Sequence, residues 1–139
     1  HGYLEALRDN HIPIDRNLVV CDKIDFDVAR NATLKLLESE HCPDAILAFN
    51  DIITYAAFDA IKAKGLRIPQ DVAIIGFTDG DTAAFVPPRL SAIMDKAHEQ
   101  GTKACELLMK NINGDEKVHK VVVPMILKIR ESSEKDAAS

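Results

Sequence analysis

Tryptophan is absent from the 139 residues, and the other aromatics are sparse at five phenylalanines and two tyrosines. Any aromatic surface for a ligand must therefore be built from a few identifiable positions. Basic side chains are also short in supply: 17 lysines and arginines stand against 22 aspartates and glutamates, for a formal net charge of -5. That balance leaves no electrostatic footprint for nucleic acid on this stretch, so any DNA contact has to come from elsewhere. The three cysteines, Cys21, Cys42 and Cys105, form no CxxC pair. An odd, scattered set suits a reducing cytoplasm better than a disulfide framework. No apolar run reaches the length of a membrane span, and no signal peptide is visible. Several chemical signatures are missing as well. There is no G-x-G-x-x-G, no GK[ST] and no G-x-S-x-G. The histidines at 1, 11, 41, 98 and 119 lack HExxH spacing, and His41 beside Cys42 brings no further metal ligands with it. The acid pairs Asp22/Asp25 and Asp79/Asp81 have no nucleophile, metal or cofactor beside them, so neither an enzyme nor a cofactor is expected.

What remains is a patterned chain, 47% hydrophobic, large enough to bury a core. "HGYLEALRDNHIPI" has helical character from Tyr3 to Arg8 but almost no lead-in, and reads as cut from something longer. Short apolar runs then alternate with helical ones. "NLVVC" (17 to 21) predicts a strand, and "DVARNATLKLLESE" (27 to 40) a helix with Ala29, Ala32, Thr33, Leu36 and Leu37 on one face. "DAILAF" (44 to 49) predicts a second strand. "DIITYAAFDAIKAKG" follows as a helix with Ile52, Tyr55, Ala56, Asp59 and Ala60 aligned and Gly65 closing it. A third strand is predicted at Val72 to Phe77, and a fourth at "LSAIM". Strands apolar on both faces, separated by helices, imply an α/β fold: a parallel sheet flanked by helices and joined by right-handed crossovers. "KAHEQGTKACELLMKNING" places Ala97, Gly101, Ala104, Cys105, Leu108 and Ile112 on one helical stripe. The closing "ESSEKDAAS", flexible from residue 132, is expected to fray.

In open parallel sheets, ligands bind beyond the carboxyl ends of the strands. Here those ends carry Asp22, Lys23, Ile24 and Asp25 after the first, Phe49, Asn50 and Asp51 after the second, and Thr78, Asp79 and Gly80 after the third. Acceptors and an amide mixed with apolar surface suit a neutral polyhydroxylated ligand such as a sugar. The competing reading is local: Asn50 or Asp51 caps the following helix, and Asp79-Gly80 turns the chain.

"AILAFNDIITYAAFDAIKAKGLRIPQDVAIIGFTDG", "PPRLSAI", Gly101 and "LKIRESS" together resemble the effector-binding core of the LacI/GalR family of bacterial transcriptional repressors. The resemblance covers nearly the whole chain and implies the periplasmic-binding-protein-like type I fold, with this chain supplying mainly the C-terminal lobe. It divides the chain into a C-terminal lobe at 1–93, a helix at 97–113 crossing toward the N-terminal lobe, and a return at 118–131. The family's helix-turn-helix headpiece and the first half of the N-terminal lobe would come earlier. Position by position, the family's Asn of the "ND" step is Asn50, and its effector-contacting Asp after "GF" falls on Thr78, with Asp79 one place later. The aromatic often found after the first strand corresponds to about Ile24, so ring stacking would fall to Phe49 or Phe26. Asp95, after "LSAIM", matches a position where the family often places a polar ligand contact.

The resemblance further implies a homodimer paired around Tyr55 and the "AAFVPP" segment with Phe85. It implies a small sugar-like effector, and operator DNA held through the headpiece. No membrane partner and no metal are implied. The runner-up is a periplasmic sugar-binding protein of the same fold, against which the unpaired cysteines and the fit of "IPQDVAIIGF" weigh.

Overall fold

Ala73–Phe77 (β2) explains the layering of the molecule. This apolar run pairs in parallel with Ala45–Ala48 (β1) on one side, from Ala45↔Ala73 to Ala48↔Gly76, and with Ser91–Met94 (β3) on the other, from Ile75↔Ser91 to Phe77↔Ile93. Ile126–Lys128 (β4) adds to β3 in the antiparallel sense, giving a four-stranded sheet in the order β1-β2-β3-β4. The helices are Gly2–Asp9 (α1), Phe26–Glu38 (α2), Asp51–Ala63 (α3) and Ala97–Ile112 (α4), with short 3-10 turns at Arg16–Leu18 and Asp81–Ala84. The computed structural model describes residues 1–78, 81–115 and 117–135, and of Asp81 and Thr82 only the backbone.

α3 forms where it does because both of its ends are specified. Asn50 caps the start, its Oδ1 accepting from the Ile53 N–H at 2.9 Å. At the other end the chain passes Lys64 into Gly65 at φ +69°, a left-handed conformation that costs glycine nothing. The buried face is not the one the spacing predicts. Thr54, Ala56, Ala57, Ala60 and Ile61 are buried, while Ile52 and Asp59 are exposed. The stripe is rotated because α3 is covered on two sides, by the sheet below and by α2 alongside, whereas an amphipathic count assumes one. Asp59 serves the second contact, accepting from Arg30 Nε of α2 at 2.5 Å, and Lys64 pairs with Glu38 at the far end. The core beneath them gathers Ala57, Ile61, Ile68, Val72, Ile74, Ala83 and Leu90.

α3 and β2 approach unusually closely. A Cβ built on Gly76 would lie 2.8 Å from Thr54 Cβ and overlap the Thr54 hydroxyl and methyl groups. Gly76 and Ala48 are register partners and both are buried. By the alternation of a strand, Leu47, Ile75 and Phe77 turn to the opposite face, where Leu47 is exposed.

The predicted strand at 17 to 21 is not formed. Asp15 accepts from the Asn17 N–H at 2.9 Å and winds Arg16–Leu18 into a 3-10 turn, leaving Val19 and Val20 exposed with no ladder partner among the described residues. The expectation of fraying from residue 132 is also corrected, because Ser132 is fully buried. Its Oγ donates to the Ile74 carbonyl at 2.6 Å and accepts from the Ser91 N–H at 2.8 Å, so it occupies the gap between β2 and β3. Glu131, one residue earlier, accepts from the Arg89 N–H at 2.9 Å and from Arg89 Nε at 2.7 Å. Those two bonds hold its carboxyl below the ordinary glutamate range. Residues 136–139 lie outside the described residues.

Arg67 and Asp71 clamp the turn that feeds β2. The Asp71 carboxylate accepts from Arg67 Nε at 2.9 Å, Nη2 at 2.7 Å and the backbone N–H at 2.7 Å. The guanidinium, helped by that backbone bond, lowers the Asp71 carboxyl to about 2. A carboxyl depressed by folding favours the native state at any pH above its unfolded value, and that contribution disappears as pH falls through about 2. Carbonyl-carbon NMR should therefore show Asp71 titrating near 2, and Arg67→Gln should raise it toward the ordinary aspartate range, with the part due to the backbone bond retained. An Asp71 midpoint unmoved by the substitution would contradict the clamp.

Candidate functional site

The three parallel strands end on the same edge of the sheet, and the register places their last residues side by side. Phe49 and Asn50 follow β1, Thr78 follows β2 and Asp95 follows β3. With Ala48 beside Gly76 and Phe77 beside Ile93, continuing the ladder sets Asn50 next to Thr78 and Thr78 next to Met94, with Asp95 one step beyond. Four of the six ligand-binding residues singled out from the sequence thus meet at one edge. Asp79 lies outside the described residues, and Ile24 sits 58% exposed in the loop before α2.

Each member contributes differently. Asn50 does cap α3, as the local reading held, but only its Oδ1 is used. No partner for its Nδ2 occurs among the described residues, so two donors remain for something else. Thr78 is buried, not presented at the surface, and its N–H donates to the Ile93 carbonyl at 3.2 Å, which extends the β2–β3 ladder by one step. Asp95 is exposed and makes no hydrogen bond or ion pair with the described residues. Phe49 is 70% exposed, and its ring centroid lies 6.1 Å from that of Phe77 with the planes inclined at 44°. Phe77 was not among the site residues that the sequence suggested. The signal available was its place in "GF", level with Phe49 once the β1–β2 register is known.

Beyond the edge, α3 carries two buried oxygens, Asp51 Oδ1 and Tyr55 Oη, that have no partner among the described residues. Tyr55 packs by its ring against the core, whereas Phe85, in the loop before β3, is 79% exposed. On α4 the predicted stripe is exposed along its whole length, from Ala97 to Ile112. Cys21, Cys42 and Cys105 are all free and exposed. Among the described residues no cluster of side chains could hold a metal ion, and no helix is long and apolar enough to cross a membrane.

The carboxyl ends of parallel strands are where open α/β sheets take small molecules, and here that edge carries an amide, a carboxylate and an apolar ring. The model of the periplasmic binding protein-like domain matches residues 1–133, and the chain belongs to that family. Its relatives in the family are LacI-type transcriptional regulators. ExuR of Bacillus subtilis (strain 168), a probable HTH-type transcriptional repressor, is 33% identical over 132 residues, covering 94% of this chain and 40% of its own length. A regulatory protein of LacI family from Chloroflexus aggregans superposes with a TM-score of 0.86 at 35% identity, over 96% of this chain and 48% of that one. The transcriptional regulator CelR, solved with cellobiose, superposes with a TM-score of 0.83 at 30% identity, over 95% of this chain and 41% of its own. The resemblance carried by "AILAFND" and "IPQDVAIIGF" is thereby borne out. The chain spans 40%, 48% and 41% of the length of these three proteins in turn.

Proposed function

We propose that this chain is the ligand-sensing and subunit-pairing portion of a LacI-type transcriptional regulator, taking a small sugar-like effector at the carboxyl edge of β1–β3. Residues 1–93 and 118–131 would belong to one lobe and α4 would cross toward the other. Effector bound between the lobes would favour one lobe arrangement, and that arrangement would set how paired headpieces sit on operator DNA. The chain has no catalytic role in this reading. The −5 charge is consistent with DNA contacts made by a separate headpiece and not by this chain. Pairing through the α3 side and the Phe85 loop is supported by the exposure of Phe85, an aromatic side chain of the kind that interfaces bury.

The observation that carries the proposal is the unused Nδ2 of Asn50 and, two strands away on the same edge, the Asp95 carboxylate, neither with a partner among the described residues. Because Asn50 also caps α3, alanine at this position would lower stability by about 1 kcal/mol and blur the result. Asn50→Asp separates the two roles, since aspartate caps equally well but has no amide to donate. In the intact regulator, Asn50→Asp and Asp95→Ala are each expected to weaken effector binding roughly tenfold to a hundredfold. Melting temperature and effector-free operator affinity should stay near wild type. Calorimetric titration with neutral mono- and disaccharides is the measurement. Wild-type affinity in both variants would show that the site does not lie at these strand ends.

A further inference from the structure

Resting on the reading that subunits pair through the α3 side, we propose that two copies of α3 lie antiparallel across a two-fold axis, with Asp51 of each copy paired to Lys62 of the other.

Asp51, Tyr55, Phe58 and Lys62 stand at i, i+4, i+7 and i+11 of α3 and so share one stripe. It lies apart from Ala57 and Ile61, which face the core, and from Asp59, which holds α2 through Arg30. Tyr55 and Phe58 rest partly against the core and are half-buried, while Lys62 is exposed. The stripe is thus apolar in its middle and oppositely charged at its ends. Neither charge is matched within the chain. Asp51 makes no hydrogen bond or ion pair among the described residues, although its Oδ1 is buried, and a buried carboxylate oxygen without a donor or counter-charge is costly. Lys62 makes no ion pair among the described residues, and its Nζ stands 5.6 Å from the centroid of the Phe58 ring. Eleven residues of helix hold the two charges about 16 Å apart, too far to meet in one copy.

A second, antiparallel α3 answers both needs at once. The stripe is symmetrical about the point midway between Tyr55 and Phe58. A two-fold axis there sets each Tyr55 against the other copy's Phe58 and each Asp51 against the other copy's Lys62. A parallel arrangement would oppose like charges at both ends. The Phe85 loop adjoins the same stripe: Ala83 belongs to the cluster on which Tyr55 and Phe58 rest, and the exposed Phe85 follows two residues later.

The test is sedimentation of the intact regulator carrying Lys62→Glu, Asp51→Lys or Phe85→Asp, and of the first two variants mixed. Lys62→Glu alone opposes acid to acid at both ends of the pair, and Asp51→Lys alone opposes base to base. Each is expected to dimerise roughly tenfold to a hundredfold more weakly than wild type. Mixed in equal amounts, the two variants have matched charges at both ends and should form a heterodimer of near wild-type affinity. A role for either residue within its own subunit cannot give that rescue, because each protomer still carries its substitution. If Asp51→Lys weakens the acidic first turn of α3, the milder Asp51→Asn and Lys62→Met replace the reversals. Their combined loss should then fall short of the sum of the separate ones, and strict additivity would overturn the pairing.

No heterodimer in the mixture, with Phe85→Asp still abolishing dimers, would show that the α3 register is wrong while the pairing surface stands. A monomeric wild type, or dimers untouched by all three substitutions, would remove the pairing surface and the register together.

Discussion

Replacing Ser132 by alanine is expected to cost the fold roughly 2 to 5 kcal/mol, because the hydroxyl serves two buried backbone groups at once and both are left unpaired. It donates to the Ile74 carbonyl at 2.6 Å and accepts from the Ser91 N–H at 2.8 Å. The residue's own backbone is committed as well, its carbonyl accepting from Ile74 N at 2.8 Å and its N–H donating to Arg89 O at 3.0 Å. Alanine would preserve those last two bonds, so the loss belongs to the hydroxyl. Ser133→Ala is the internal comparison. Ser133 Oγ shares a single hydrogen bond with Ser91 Oγ at 2.7 Å at a half-buried position, and its removal should cost about 1 kcal/mol. Urea denaturation of the pair is the measurement. A Ser132→Ala midpoint no lower than that of Ser133→Ala would refute the bridging role.

The second large effect is expected at Gly76, where alanine should destabilise by roughly 2 to 3 kcal/mol through overpacking. The added methyl would sit 2.8 Å from Thr54 Cβ, which belongs to a helix pinned by its cap and by α2, so the strain has no cheap outlet. Thr54→Ala removes the hydroxyl and methyl that crowd the site and leaves the Cβ. The double variant should therefore lose less than the sum of the two single changes, by a margin that thermal unfolding can resolve. Strict additivity would mean that α3 and β2 separate freely and that the close approach is not structurally required.

The parts of this molecule that were legible in the sequence are those specified locally. β1, β2 and β3 fall on the three apolar runs at 44 to 49, 72 to 77 and "LSAIM", and α2, α3 and α4 fall on the helical spacing between and after them. The Asn-Asp step announced a helix start, and Asn50 makes the cap. The misses came from features that neighbours decide. "NLVVC" has the composition of a strand, yet Asp15 turns the chain at Arg16–Leu18 and no described strand pairs with the valines that follow. The buried face of α3 was misplaced because no count along one helix reveals a second helix beside it. "ESSEKDAAS" reads as a polar tail, and only the gap between Ile74 and Ser91 makes a serine there indispensable. For the site, the residue types were visible in sequence order. Their alignment was not, since it depends on a register, and Phe77 entered only once Ala48 was seen opposite Gly76.

The bridge at Ser132 also bears on when this sheet can form during synthesis. Its hydroxyl reaches back 58 positions to Ile74, and Arg130 and Ser132 reach back about 40 to Leu90 and Ser91, across the whole of α4. Until that last stretch has left the ribosome, β2 and β3 emerge with their upstream ends open, exposing backbone that would readily pair with another strand. Contacts of such sequence separation also close slowly, because the loop entropy is spent before they reward it. Arg130 to Ser133 thus close the open ends of β2 and β3 only after α4 has been made.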